Sequence, residues 1–137
     1  MFREYGGSRV NYTIVDKGDY LRADLIERQS AEETEAFLKA VGVARRENQR
    51  KRVLICVHAP RTFFKVEKYH ASSFLETLAG LPDVRVALVS RHFEVRLVHE
   101  YLEVLARIKH AGLRAFGDEA AAIRWLASPE SVAQSDA

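Results

Sequence analysis

The stretch "HAGLRAFGDEAAAIRWLASPE", residues 110–130, decides the fold. Leu113 to Phe116 is a short apolar run of strand length. Gly117-Asp118 then offers a turn and a helix cap, and the short helix that follows is expected to bury Trp125 and Leu126. Two earlier segments repeat this strand-then-helix grammar. "RVLICVH" (52–58) and "VRVALVS" (84–90) are apolar almost throughout, as expected of strands covered on both faces. Helical periodicity follows the first through Ala71, Phe74, Leu75 and Leu78. It follows the second over about residues 93–109, where Leu97, Tyr101, Val104, Leu105 and Ile108 form the expected buried stripe.

The amino-terminal part reads differently. "VNYTIV" (10–15) alternates, with Val10, Tyr12 and Ile14 on one face. "DYLRADLIE" (19–27) does the same, with Leu21, Ala23 and Leu25 opposite Arg22 and Asp24. A period of two marks half-buried strands, and Lys17-Gly18-Asp19 between them predicts a hairpin turn. Ser30 and Glu33 form a capping box before a helix with Phe37, Ala40, Val41 and Ala44 at core spacing. The order is therefore β-β-α-β-α-β-α-β-α: an α/β fold, with a mixed sheet that opens on an antiparallel hairpin and continues in three parallel strand-helix units. Residues 1–8 are expected to be a flexible arm, 9–128 a single domain, and 129–137 a disordered tail.

Composition excludes several classes. The chain has 137 residues, 47% hydrophobic and 29% charged, with net charge +2 and one cysteine. One cysteine forms no intramolecular disulfide, no secretory leader is visible, and no apolar run has membrane-spanning length. The expectation is a cytoplasmic globular protein. The basic run "RRENQRKR" (45–52) lies where cations meet a helix C-terminus and flank a strand. It lacks interleaved aromatics, so no nucleic-acid partner is expected.

The residues resemble a known family. The element order is similar to that of STAS domains, and "FGDEAAAIRWLA" (116–127), "LPDVRVALVS" (81–90) and "DYLRADLIERQSAEETEAF" (19–37) resemble its SpoIIAA-like branch. The likeness covers about residues 9–128 and extends in topology to CRAL-TRIO lipid-transfer domains. It implies a non-enzymatic binding or regulatory module, with small apolar or lipid-like molecules as candidate ligands. In the antagonists of the family a serine in an Asp-Ser-Ser-Gly phrase is phosphorylated. Ser72 and Ser73 of "YHASSFLETL" match that serine pair, without the aspartate and glycine.

Open α/β sheets bind ligands at the carboxyl ends of their parallel strands. His58 and Arg61 follow one such strand; Ser90, Arg91 and His92 follow another. Together they offer donors to a carboxylate or phosphate head group. Between them, "PRTFFKVE" (60–67) sets Phe63 and Phe64 beside Arg61 and Lys65, an arrangement suited to a pocket lid or a peripheral membrane contact. The alternative is that one ring folds onto the core. Cys56 and His58 share a strand face, but zinc sites need two close pairs, so no metal is expected and Cys56 reads as a small buried hydrophobe. A nucleophile elbow and glycine-rich phosphate loops are absent, so neither hydrolysis nor a cofactor is expected. On the helix over 93–109, Val98 and Leu102 widen the apolar stripe, which suggests either a surface for a protein partner or a homodimer, or simply deep core.

Overall fold

The computed structural model describes residues 2–5, 11–27, 31–59 and 73–129. Its centre is one six-stranded sheet in sequence order: β1 (Phe2–Tyr5), β2 (Asn11–Asp16), β3 (Leu21–Glu27), β4 (Arg52–Val57), β5 (Arg85–Val89) and β6 (Leu113–Phe116). The pairs β1–β2 and β2–β3 are antiparallel; β3–β4, β4–β5 and β5–β6 are parallel. The predicted hairpin closes between Asp16 and Leu21, where the Lys17 amide donates to Tyr20 O at 2.9 Å and Gly18 takes φ +94°, a conformation open to glycine. Within the expected amino-terminal arm, residues 2–5 pair with β2. Residues 2–5 form an edge strand, too short and too close to Gly6-Gly7 to show a period of its own.

Among the described residues, three helices connect the strands, α1 (Ala31–Asn48), α2 (residues 73–79) and α3 (Phe93–Ile108), and a fourth, α4 (Glu119–Ala127), follows β6. Strand order advances steadily from β3 to β6, so right-handed crossovers put α1, α2 and α3 on the same face. Their buried residues share one cluster, in which Phe37 and Val41 of α1, Leu75 and Leu78 of α2, and Val98 and Leu102 of α3 meet Leu21, Val53, Ile55 and Val86 of the sheet. Among the described residues, only α4 comes back across the other face, packing Ala122 and Leu126 on Leu54, Cys56, Ala87 and Val89.

Both ends of α4 are fixed by polar groups. Asp118 accepts from the amides of Ala120 and Ala121, the predicted cap. At the other end Arg85 donates to Trp125 O and Ser128 O, and Arg52 donates to Leu126 O, so cations sit at the helix's negative pole. Trp125, expected to be buried, is partly buried against the cluster of Ala122 and Leu126. Its ring lies 5.8 Å from Phe116, with the guanidinium of Arg85 5.6 Å from its centroid. Gly112 is required by close approach, since a Cβ there would stand 2.5 Å from Val84 O.

The face of α3 differs from expectation. Val95, Val98, His99, Leu102 and Ala106 are buried; Leu97, Val104 and Ile108 are exposed. Periodicity detects an apolar stripe but does not say which of two stripes meets the sheet. Among the described residues, no helix is long and apolar enough to cross a membrane.

Candidate functional site

The carboxyl edge of the parallel strands is where the sequence points, and the structure builds a polar cluster there. Leu21, Ala23 and Leu25 of β3 face the three-helix side, so Arg22 and Asp24 face the α4 side. Asp24 pairs in register with Cys56 of β4, and two residues further His58 leaves the strand on that same side. The His58 amide still donates to Leu25 O at 2.8 Å, which holds its ring over β3.

Four ionisable groups converge as a result. His58 Nε2 lies 2.8 Å from Asp24 Oδ1. Arg22 donates to Asp24 Oδ2 at 2.8 Å through Nε and to both Glu119 oxygens, at 2.9 and 3.0 Å. Asp24 is almost wholly buried and accepts from two cationic-type donors, as a buried carboxylate requires. Arg22 holds the Glu119 carboxyl below its ordinary range, and Glu119 and Asp24 push the guanidinium of Arg22 upward.

Cys56 lies beneath this cluster. Burial pushes its thiol up to about 12, partly opposed by Arg22. It is therefore a protonated thiol that packs as the small buried hydrophobe the sequence implied. Among the described residues no group of three histidine, cysteine, aspartate or glutamate side chains is arranged to hold a metal ion.

The other singled-out residues divide. Arg91 and His92 are exposed at the same edge, just past the β5 strand that pairs with β4. Ser90 is buried, and its hydroxyl accepts from the His92 amide at 3.1 Å. Ser73 is exposed at the start of the described part of α2. Arg61, Phe63, Phe64, Lys65 and Ser72 lie outside the described residues. The basic run 45–52 is built into the fold: Arg50 makes a two-pronged pair with Asp16 at 2.7 and 3.0 Å, and Arg45 donates to Arg50 O.

Sequence reasoning missed Arg22, Asp24 and Glu119 as a group. An Arg and an Asp two apart on a half-buried strand were the available signal; Glu119 is 97 residues from Arg22 in the chain. It also missed a groove of about 430 Å³ between α1 and α2, over the amino-terminal parts of β4 and β5. Leu38, Val41, Phe74, Leu78 and Leu81 make its walls, and Lys39, Arg45 and Arg46 stand at its rim. Comparison with protein-family models, with curated proteins and with solved structures returns no match.

Proposed function

We propose that the protein is a non-catalytic binding or regulatory module of STAS-like, SpoIIAA-like type, acting in the cytoplasm and holding a small amphipathic molecule. The observation that carries this reading is the groove between α1 and α2. A volume of about 430 Å³ with mainly apolar walls is in the range that takes a small ligand. The basic side chains at the rim suit an anionic head group. Phe63, Phe64 and Lys65 belong to the segment that leads directly into Ser73 and Phe74, two residues of the groove lining. Their proposed role is to cover the apolar part of the ligand. His58, Arg91 and His92 stand at the opposite, carboxyl edge of the strands and are not part of this groove.

Gly42 supplies the test. It lines the groove on α1, and a Cβ built there meets nothing nearer than Arg46 Nη1 at 3.8 Å. A Gly42→Phe side chain therefore starts from the helix without a clash at its Cβ and is expected to occupy the groove, and the change improves helix propensity. With dodecanoate as probe, native mass spectrometry and titration calorimetry are expected to find a complex with the native chain and at least roughly tenfold weaker binding in the variant. Equal binding by both, or by neither, rejects the reading.

A second reading, an interaction switch of the anti-sigma-factor-antagonist type, has one observation in its favour: Ser73 is exposed on α2 and open to a kinase. It predicts an added phosphate on Ser73 or Ser72 in protein isolated from its own cells. Intact-mass and fragment spectra without one would set it aside.

A further inference from the structure

An amphipathic surface helix needs one apolar stripe, and α3 carries two. The first, Val95, Val98, Leu102 and Ala106, is buried against the sheet. The second is made of Phe93, Leu97, Tyr101, Val104 and Ile108. At 100° per residue these five fall in a band about 80° wide, turned roughly 150° away from the first. Phe93 is 65% exposed, Leu97 48%, Val104 48% and Ile108 69%; Tyr101, at the centre, is partly buried. Leu97, Tyr101, Val104 and Ile108 succeed one another at steps of four, three and four, the spacing of a two-helix seam.

We propose that this second stripe of α3 is a self-association surface, on which α3 of a second copy of the chain packs antiparallel about a two-fold axis near residues 102–103. The charges beside the stripe select the occupant and its direction. Glu100 and Arg107 are exposed along one flank of the stripe, seven residues apart. In the antiparallel self-pair, Leu97 meets the partner's Ile108 and Tyr101 meets the partner's Val104. Glu100 then runs alongside the partner's Arg107, and two-fold symmetry makes that pair twice. A parallel pair would set Glu100 beside the partner's Leu105 and leave both charges unmatched. Arg107 already donates to Glu103 through Nη2 at 3.0 Å, and its guanidinium has further N–H groups for a second carboxylate. A 16-residue helix is about 24 Å long, so the contact is of the small, reversible class and a micromolar dissociation constant is expected.

Sedimentation velocity of the full chain over roughly 1 to 200 µM tests the proposal. The native protein is expected to pass from monomer to dimer, and a monomer throughout overturns it. Leu97→Glu with Ile108→Glu, both at exposed positions, is expected to weaken the dimer at least about a hundredfold with an unchanged circular dichroism spectrum. A dimer that survives this pair of changes uses another surface and also overturns the proposal. Glu100→Lys and Arg107→Glu each place like charges together twice and are each expected to weaken association. An equimolar mixture of the two is expected to recover it, because the new lysine of one chain meets the new glutamate of the other while native Arg107 meets native Glu100. Failure of the mixture to recover rejects the antiparallel arrangement.

Discussion

The two faces of the sheet are built on different physics. On one face three helices bury a continuous apolar cluster that reaches from Tyr12 and Phe37 across Ile55 and Leu75 to Leu102 and Leu113. On the other face, α4 of nine residues covers β4 and β5 with a small cluster of Leu54, Cys56, Ala87, Val89, Ala122 and Leu126. Next to it stands the charged group of Arg22, Asp24, His58 and Glu119. Hydrophobic stabilisation scales with apolar area removed from water, so the first face supplies most of it. The second face holds its short helix by caps and arginine-to-carbonyl bonds and keeps ionisable groups within reach of solvent. A chain that divides its sheet in this way can vary the polar edge without dismantling the core.

The largest effect that would break or sharpen this contrast is truncation on the two faces. Phe37 is 1% exposed and meets Tyr12 edge-on at 5.2 Å between ring centroids. Phe37→Ala is expected to cost about 4 kcal/mol, because the surrounding helices and sheet cannot close the cavity. Leu126 is also buried, but it belongs to a single short helix that can settle inward. Leu126→Ala is expected to cost roughly 2 to 3 kcal/mol. Urea denaturation of both variants measures the difference. A Leu126→Ala loss equal to or above that of Phe37→Ala would remove the asymmetry between the faces.

The same contrast governs how much could be read from sequence. Segments whose environment repeats along the chain were legible: the alternation of Tyr12 and Ile14, the hairpin at Lys17-Gly18-Asp19, the fully apolar β4 and β5, and the Asp118 cap. Each of these depends on neighbours within a few residues. The α3 face was misread because Leu97, Val104 and Ile108 satisfy helical spacing as well as Val98 and Leu102 do. Only the position of the sheet tells the two stripes apart. The polar cluster was half legible. His58 was placed at the strand-end edge by its position after an apolar strand, whereas its partner Asp24 lies 34 residues earlier and Glu119 joins from the far end of the fold. The groove arises from the spacing between two helices, a quantity no single helix encodes.

A smaller effect asks whether the charged cluster contributes to stability at all. Arg22→Met keeps the apolar stem and removes the guanidinium from Asp24 and Glu119. The pair with Glu119, whose side chain is nearly half exposed, is screened by water and contributes only about 1 kcal/mol at neutral pH, to which the loss of an arginine donor at the buried Asp24 adds. Its pH dependence is the sharper signature. Glu119 is held below its ordinary value of 4.5 by Arg22, so the unfolded chain binds that proton more tightly than the folded one. The stabilisation is therefore complete above about pH 4.5 and fades as pH falls through the lowered folded value. In Arg22→Met this contribution is gone, so native and variant stabilities are expected to converge between pH 5 and 3 (roughly the carboxylate titration range). Both curves still slope, because Asp16 remains held down by Arg50 in each protein. Urea midpoints at pH 7 and pH 3 measure the convergence, and a gap that stays constant or widens would show that Arg22 acts through packing rather than charge. Convergence from a small neutral-pH difference would mean that the cluster adds little to the fold, and that the orientation of His58 by Asp24 has to be explained by what the edge binds.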